Sequence, residues 1–247
     1  MRVLGVIPAR LASTRLPNKP LQLLAGEPLV TRVVQRVLEH GLVDHLVVAT
    51  DSPTVVRVVE PSGVPAVLTD PGHETGTDRV AEVARRPEYR GYDLIANIQG
   101  DEPFLPRGAL EGAIARVRCG EDIGTAAAPL DPAEAADPAR VKVVTDLGGR
   151  ALYFSRAPIP YRREPAGPAD GVYWQHIGLY VFARAALERW SGLAPTPVER
   201  TERLEQLRAL QHGLAIGVAR LSEPAPRGVD TPDDLRWAEA HWYASQR

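Results

Sequence analysis

Short apolar runs alternate with amphipathic segments along the first hundred residues, and this alternation limits the folds open to the chain. Runs at 3–7, 46–49 and 94–98 have the length of buried strands, and 66–68 is a weaker one. Between them, residues 29–40 and 77–86 carry their apolar side chains at helical spacing. Strands separated by helices predict an α/β fold with a mostly parallel, Rossmann-like sheet flanked by helices.

The second half of the chain is richer in strand patterns. Residues 123–128, 141–144, 151–154 and 177–182 are predicted strands, and helices are predicted over 197–212 and 231–243. These patterns predict one domain, 1–247, with a smaller strand-rich insertion at about 123–182, and a loop over the Arg/Pro/Gly-rich residues 162–172.

Composition excludes several classes of protein. A formal net charge of −2 over 247 residues argues against a general nucleic-acid binder, which usually needs a basic face. One cysteine excludes an intramolecular disulfide framework. The sequence has neither a signal-peptide pattern nor an apolar run long enough to cross a bilayer. We therefore expect a cytoplasmic protein with no membrane partner.

A loop with three cations follows the first predicted strand. Arg10, Arg15 and Lys19 lie within ten residues of one another, and Lys19 is one of only two lysines in the chain. Arginine forks and a lysine point charge suit phosphate oxygens, so the loop predicts binding of a polyanion such as a nucleoside triphosphate. It is not a Walker loop, because that spacing is absent. A solvated basic turn is the alternative.

Two aspartates are candidates for a magnesium site. Asp101 follows the strand at 94–98 and a glycine, and Asp230 directly precedes the last predicted helix. Mg²⁺ usually takes one or two carboxylates together with substrate phosphates and water. The alternatives are a turn aspartate at 101 and a helix start at 230. The 8–20 loop, residues 50–51 and residues 99–102 all follow strands, so they are expected to share the ligand-binding edge of the sheet.

The motifs occur in an order that resembles a known family. They are Ile7-Pro8-Ala9-Arg10, Ser13-Thr14-Arg15-Leu16-Pro17, Lys19-Pro20, Ala49-Thr50-Asp51, Gly76-Thr77-Asp78-Arg79, Gln99-Gly100-Asp101-Glu102-Pro103, Tyr153-Phe154-Ser155-Arg156, His176-Ile177-Gly178-x-Tyr180, Leu204-Glu205-Gln206-Leu207-Arg208 and Val229-Asp230-Thr231. Over nearly its whole length the chain resembles the 3-deoxy-manno-octulosonate (Kdo) cytidylyltransferases of lipopolysaccharide biosynthesis. The first motif alone marks only the wider class of sugar nucleotidyltransferases. The chain departs from the family at Thr75, where serine is usual.

The resemblance implies a nucleotidyltransferase sheet and the transfer of a cytidylyl group from CTP to Kdo, in a homodimer that uses Mg²⁺. It assigns the triphosphate to Arg10, Arg15 and Lys19, and the metal to Asp101 and Asp230. Lys19, Arg10, Asp101 and Asp230 are the implied catalytic residues. The implied substrate-binding residues are Pro8, Ala9, Arg10, Arg15, Lys19, Thr77, Arg79, Gln99 and Gly100 for the nucleotide, and Gln99, Arg156, His176, Glu205 and Gln206 for the acid sugar.

Other functions stay open on the sequence alone. The acceptor could be a related acid sugar, such as an amino-substituted Kdo or a sialic acid, or the chain could be a catalytically silent nucleotide-binding protein. A dinucleotide-dependent oxidoreductase is disfavoured because no G-x-G-x-x-G follows the first strand. The alternative to sugar binding for His176 is a buried histidine with a purely structural role. The leucine spacing around Glu205 and Gln206 by itself predicts that these two face solvent.

Overall fold

The computed structural model describes residues 1–13, 15–163 and 171–244, and its contacts divide the chain into two compact units. The first unit comprises Met1–Leu105 with Pro226–Arg247, and the second comprises Pro106–Ala225. The strand-rich segment lies within the second unit, and the organisation of 1–247 as a single domain stays a prediction. Of the loop predicted over 162–172, residues 164–170 lie outside the described residues.

Helices and strands alternate through most of the described sequence. In chain order they are β1 (Val3–Ala9), β2 (Leu23–Leu24), β3 (Glu27–Pro28), α1 (Leu29–His40), β4 (His45–Thr50), α2 (Pro53–Val59), β5 (Ala66–Leu68), α3 (Gly76–Arg85), β6 (Leu94–Asn97), α4 (Arg107–Arg118), β7 (Ile123–Pro129), β8 (Lys142–Thr145), β9 (Ala151–Ser155), β10 (Trp174–Ala183), α5 (Arg184–Trp190), α6 (Pro197–Glu202), α7 (Gln206–Gln211), β11 (Ile216–Arg220) and α8 (Pro232–Ala244). None of the helices in the described ranges is long and apolar enough to cross a membrane.

The first unit contains a parallel sheet with the strand order β6-β1-β4-β5. Its register pairs Ala9 of β1 with Thr50 of β4, and Val6 of β1 with Asn97 of β6. Strands β1, β4 and β6 therefore end along one edge of the sheet. Helices α2 and α3 pack against these strands. The predicted mostly parallel, helix-flanked sheet is therefore confirmed, and the ends of its strands carry the loops that the sequence singled out.

Local signals explain where the helices of the first unit begin and end. Gly41 ends α1 with φ 62°, a left-handed conformation that glycine adopts without steric cost. The Thr75 hydroxyl accepts from the amide of Asp78 and caps α3. The Thr231 hydroxyl likewise accepts from the amide of Asp234 at the start of α8. All three helices were predicted, whereas the short α2 was missed.

The second unit is built around β7. This strand pairs in parallel with β11 and antiparallel with β10, while β8 and β9 form a hairpin beside β10. Helix α4 packs so closely on β7 that a Cβ at Gly124 would lie 2.0 Å from the Ala113 carbonyl oxygen. Only glycine fits at this position. The strand-rich segment is confirmed, but α4, α5 and β11 were not predicted.

The prediction of one continuous helix over 197–212 is wrong, because two short helices occupy this segment. Helix α6 ends at Glu202, Arg203 adopts φ 52°, and α7 starts at Gln206. The Arg156 guanidinium donates to the carbonyl oxygens of Glu202 (2.8 Å) and Arg203 (3.3 Å). These bonds satisfy carbonyl groups that the helix leaves unpaired at its end, so the break is stabilised by a residue remote in sequence.

Candidate active site

Two of the three cations of the first loop meet a pair of carboxylates. The Lys19 ammonium lies 2.5 Å from Asp101 Oδ2 and 2.8 Å from Asp230 Oδ1. Arg15 lies 3.1 Å from the same Asp230 oxygen. Asn18 directs the chain into this position in a left-handed conformation, φ 52°, that asparagine tolerates. The structure thus brings together four charged groups from three distant parts of the sequence.

Backbone contacts hold the two aspartates side by side. Asp101 follows β6, and its carbonyl oxygen accepts from the amide of Val229 at 2.8 Å. Gly228 lies so close to Glu102 that a Cβ would be 3.0 Å from the Glu102 Oε1 atom. Asp230 therefore reaches the end of β6 although 129 positions separate it from Asp101 in the sequence.

In this cluster the opposite charges shift the pKa values of Lys19 and Asp230 more than burial does. Burial acts to lower the pKa of Lys19, but the charges of Asp101 and Asp230 outweigh it and raise that pKa. Burial acts to raise the pKa of Asp230, but Lys19 and Arg15 outweigh it and lower that pKa. Burial raises the pKa of Glu102 to about 8, helped by the neighbouring carboxylates. Lys19 and Asp230 therefore stabilise each other in their charged forms, and Glu102 beside them is neutral at neutral pH.

The two aspartates fit a divalent cation. Asp101 Oδ2 and Asp230 Oδ1 converge on one ammonium nitrogen, so one cation can contact both oxygens. Two carboxylates are a common protein contribution to a magnesium site, where phosphates and water supply the other ligands. A cluster of three or more His, Cys, Asp or Glu able to hold a metal is absent from the described ranges. With two carboxylates from the protein, the other ligand positions of such a cation would be left to phosphate and water oxygens.

The third cation of the loop, Arg10, lies elsewhere. Its guanidinium donates to the Glu74 carbonyl oxygen at 3.4 Å and is otherwise exposed. Pro8, two residues before Arg10, approaches the start of α3 and the loop that follows β6. A Cβ at Gly76 would lie 3.4 Å from the Pro8 ring, and one at Gly100 would lie 2.9 Å from the Pro8 carbonyl oxygen. Gly100 is therefore needed for the close approach of the first motif to the end of β6.

A chain of amides and hydroxyls links the end of β6 to α3. Gln99 Nε2 donates to Asn97 Oδ1 at 3.3 Å, and Asn97 Nδ2 donates to Thr77 Oγ1 at 3.4 Å. Gln99 and Thr77 were candidates from the sequence, whereas Asn97 was missed. Its signal is an amide in an otherwise apolar strand, in a chain with only one other asparagine.

Arg79 is buried in an ion pair. Only 2% of the residue is exposed, and the guanidinium contacts Asp51 Oδ2 at 3.2 Å and the Thr69 hydroxyl. The structure thus joins Arg79 to Asp51 at the end of β4, one of the strand ends expected to share the ligand-binding edge. The assignment of Arg79 to the cytidine pocket stays a prediction.

The candidates for sugar binding other than Gln99 lie in the second unit. His176 is buried on β10, with its Nε2 atom 2.9 Å from the Thr125 hydroxyl. Burial lowers the pKa of His176 to about 3, so the ring is neutral over the physiological range. The rings of Phe154 and Tyr180 pack on it at centroid distances of 5.0 and 5.3 Å. These contacts fix the plane of the imidazole.

Arg156 lies at the end of β9 in a network of backbone carbonyl groups. Besides Glu202 and Arg203, its guanidinium donates to the Pro138 carbonyl oxygen at 2.8 Å. The Arg156 carbonyl oxygen accepts from the fully buried Lys142 ammonium at 2.6 Å. Burial lowers the pKa of Lys142. Lys142 and Glu202 were missed as neighbours of Arg156, since nothing in the sequence links positions so far apart.

Glu205 and Gln206 lie at the start of α7. Glu205 Oε1 accepts from the Trp190 indole at 3.1 Å, and Gln206 is buried, with 4% exposed. The solvent-facing position that leucine spacing predicts is therefore wrong for Gln206. The reason is the break at Arg203, because a continuous helix through 197–212 is the premise of that spacing argument.

Comparisons with known proteins agree with this architecture. A family model described as cytidylyltransferase matches residues 4–216. A 3-deoxy-manno-octulosonate cytidylyltransferase of Gemmatimonas aurantiaca is 51% identical over 245 residues, which are 98% of this chain and 95% of that protein. One of the same name from Syntrophobacter fumaroxidans is 44% identical over 95% of this chain and 94% of its own length. A solved CMP:2-keto-3-deoxy-manno-octonic acid synthetase complexed with CTP matches with a TM-score of 0.91 and 36% identity, over 99% of this chain and 100% of that one.

The parallel sheet, the cationic loop and the paired carboxylates at its strand ends define an α/β nucleotidyltransferase. Within that class the chain belongs to the cytidylyltransferase family. The resemblance read from the ordered motifs is thereby confirmed.

Proposed function

We propose that this enzyme transfers the cytidylyl group of CTP to the anomeric hydroxyl of Kdo, giving CMP-Kdo and pyrophosphate. The observation that carries the proposal is the pairing of Asp101 and Asp230 with Lys19 and Arg15 at the ends of the parallel strands. The names of the relatives supply the acceptor, since they are Kdo cytidylyltransferases over nearly their full length. The product would supply an activated sugar for lipopolysaccharide synthesis.

The charged residues of the first unit account for the requirements of this reaction. The oxygen of the anomeric hydroxyl forms a bond to the α-phosphorus and releases its proton to water. The bond from the α-phosphorus to the bridging oxygen breaks, and pyrophosphate leaves. Most of the acceleration of such a transfer comes from positioning and charge neutralisation. Lys19, Arg15 and Arg10 are assigned to the triphosphate and the leaving pyrophosphate. Pro8, Ala9, Thr77, Arg79, Gln99 and Gly100 are assigned to the nucleoside.

Asp101 and Asp230 are assigned to Mg²⁺, which would bind both carboxylates and oxygens of CTP. When bound, the ion adds positive charge at the phosphates and makes the α-phosphorus a better electrophile. Lys19 contacts both carboxylates through its ammonium in the structure, so it directs an oxygen of each to one point. That arrangement prepares the pair for a cation.

In the second unit, the acid sugar is assigned to Arg156, His176, Glu205 and Gln206, and the implied role of Gln99 in sugar binding stays a prediction. Neutral imidazole, amide and carboxylate groups together offer the donors and acceptors that a polyol needs. The neutral state of His176 argues against a role as general base, because a ring with a pKa of about 3 is a weak proton acceptor. His176 therefore serves as a hydrogen-bonding group.

The proposal is tested by measuring pyrophosphate release with CTP, Mg²⁺ and Kdo. Parallel reactions replace CTP by UTP, or Kdo by an amino-substituted Kdo or a sialic acid. Asp101→Asn and Asp230→Asn are expected to lose at least about 100-fold in kcat/KM, as removal of groups acting on the transition state does. Asp233→Asn is the matched control, since that exposed carboxylate in α8 pairs with the exposed Arg236.

Each result separates the candidate functions. Release that needs both CTP and Kdo supports the proposal. Release only with another acid sugar would identify a different acceptor, and binding of CTP without release with any sugar would indicate a silent nucleotide-binding protein.

A second measurement tests the assignment of Asp101 and Asp230 to the metal. Binding of Mn²⁺ in the presence of CTP, followed by electron paramagnetic resonance, should weaken in both aspartate variants and remain in Asp233→Asn.

We further propose that the enzyme is a homodimer formed through the β8–β9 hairpin. Leu147 between these strands and Leu152 on β9 are exposed to 110% and 62%, and Tyr161, which follows the hairpin, to 86%. Large apolar side chains gathered in one exposed segment are typical of an interaction surface. A second copy of the chain is the proposed occupant, in agreement with the homodimer that the family resemblance implies.

Light scattering during size-exclusion chromatography tests this surface. The wild type is expected at the mass of two chains, and Leu147→Ser/Leu152→Ser is expected to shift toward one chain. Leu38→Ser is the control, because this leucine is also exposed but lies on α1 in the first unit. A wild type that stays at 26.8 kDa at all concentrations would contradict the proposal.

A further inference from the structure

Strand β10 bulges where it passes Thr125 of β7. Ile177 pairs with Ala126 and Val181 pairs with Gly124, so β10 advances four residues while β7 advances two. The extra residues bring two carbonyl groups of β10 to the fully buried Thr125 side chain. Its hydroxyl oxygen lies 2.6 Å from the Leu179 carbonyl oxygen and 3.3 Å from that of Ile177. The threonine thus occupies the position where the ladder is interrupted.

The hydrogen of the Thr125 hydroxyl therefore points to one of these two carbonyl oxygens. A hydroxyl has one hydrogen and two lone pairs, and a carbonyl oxygen can only accept. Whichever of the two carbonyl groups it uses, Thr125 is the donor there. Its third contact, to His176 Nε2 at 2.9 Å, must then be donated by the imidazole ring.

This assignment fixes the tautomer of His176. With its hydrogen on Nε2, a neutral ring carries a lone pair on Nδ1. The ring is neutral because burial opposes its charge. Among the residues that the structure describes, the imidazole of His176 has no hydrogen-bond partner other than Thr125. Nδ1 is thus an acceptor held in place by the aromatic packing of Phe154 and Tyr180.

We propose that Thr125 is a positioning residue that holds His176 in the Nε2-protonated form, so that Nδ1 accepts a hydrogen bond from a hydroxyl of the acid sugar. The assignment to the sugar rests on the proposed function, while the tautomer rests only on contacts within the second unit. Thr125 acts through His176 and does not touch the substrate. It determines whether the ring offers the sugar an acceptor or a donor.

Nuclear magnetic resonance of the substrate-free enzyme tests the tautomer. The protein is labelled with ¹⁵N-histidine, and the His176 signals are assigned by their loss in His176→Gln. Two-bond ¹H–¹⁵N correlations are expected to show the hydrogen on Nε2 in the wild type and in Thr125→Ser. In Thr125→Val, which keeps the shape but removes the acceptor, the ring is expected to show a mixture of tautomers. A hydrogen on Nδ1 in the wild type would overturn the proposal.

Kinetics test the consequence for the sugar. Thr125→Val is expected to raise the KM for Kdo about tenfold, the effect of one hydrogen bond, with the KM for CTP unchanged. Thr125→Ser should restore the KM for Kdo to within about twofold of the wild type. An equal rise of both KM values would show general damage and contradict positioning. So would an unchanged KM for Kdo alongside an altered tautomer.

The two measurements separate failure of this proposal from failure of the proposed function. A wild type that releases no pyrophosphate with Kdo would refute the function, and with it the sugar as the donor to Nδ1. The NMR spectra would still decide the role of Thr125, because they are recorded without substrate. If Thr125→Val fails to fold, the wild-type tautomer alone decides, since a hydrogen on Nδ1 is incompatible with the assigned bond.

Discussion

At the scale of single residues, Lys19 is the centre of the charged cluster. Its ammonium is shared by Asp101 and Asp230, and both carboxylates raise its pKa, so it carries its charge throughout the range in which the enzyme works. Lys19→Met should lower kcat/KM for CTP by about 100-fold or more, because two carboxylates lose their cation and the triphosphate loses a positive contact. Steady-state kinetics at varied CTP measures this effect.

A matched cation serves as the control for Lys19. Arg57→Met removes an exposed positive charge on α2 that donates to Thr54, and it should leave kcat/KM within about twofold. Lys19→Arg keeps the charge but changes its shape, and should recover only part of the activity. If Lys19→Met retained wild-type turnover, the assignment of Lys19 to the triphosphate would be wrong.

The buried neutral His176 predicts a pH dependence of stability. Its pKa is about 3 in the folded protein, against 6.5 for an ordinary histidine, so below pH 6.5 the unfolded chain binds a proton that the folded chain does not. The contribution of His176 to the free energy of unfolding is therefore full above pH 6.5 and declines as the pH falls. At pH 5 it is smaller by about 2 kcal/mol. Urea unfolding of the wild type and of His176→Gln at pH 7 and pH 5 tests it.

The His176→Gln variant isolates this one group from the other acids and bases. Its stability should fall less between pH 7 and pH 5 than that of the wild type, by about the same 2 kcal/mol. Identical losses in the two proteins would mean that the ring is charged in the folded state. Tyr180 packs on the ring of His176, but burial raises the pKa of Tyr180 well above its usual value, so this tyrosine does not titrate in that interval.

At the scale of elements, the break between α6 and α7 is held against the backbone preference of Arg203. A non-glycine residue in the left-handed region costs about 1 kcal/mol, which glycine avoids. Arg203→Gly should therefore leave the break in place and raise the free energy of unfolding by about 0.5–1 kcal/mol. Arg203→Ala, which keeps the same penalty, is the control, and chemical denaturation measures both. A destabilised Arg203→Gly would show that the side chain, not the backbone conformation, matters there.

This break shows why sequence predicts some elements and not others. Helix α1 was predicted because its apolar spacing, length and terminal Gly41 are all local signals. The interruption at Arg203 has no glycine or proline to mark it, and depends on Arg156, 47 positions away. The site divides in the same way. Asp101 follows a strand and a glycine and was predicted, whereas Thr125 and its contact with His176 arise from a bulge that local patterns do not encode.

At the scale of the whole molecule, the first unit is completed by a segment from the far end of the chain. Val229 and Ala238 join a buried cluster with Leu16, Leu24, Leu29 and Phe104, so the folding of this core brings the C-terminal segment beside the first motif. Asp230 directly follows Val229. The core that holds α8 in place therefore also sets the distance between Asp230 and Lys19.

This dependence predicts how CTP changes hydrogen exchange. With CTP and Mg²⁺, amides in residues 8–20, 97–102 and 228–231 should gain protection together, because one ligand would contact groups from all three segments of the first unit. Helix α2, which carries none of the assigned residues, is the internal reference. Asp230→Asn should weaken the protection in all three segments, since the loss of one carboxylate reduces affinity for the whole nucleotide–metal complex. Protection confined to residues 8–20 would instead mean that the cationic loop binds the triphosphate alone, and that the aspartate pair serves only to anchor Lys19.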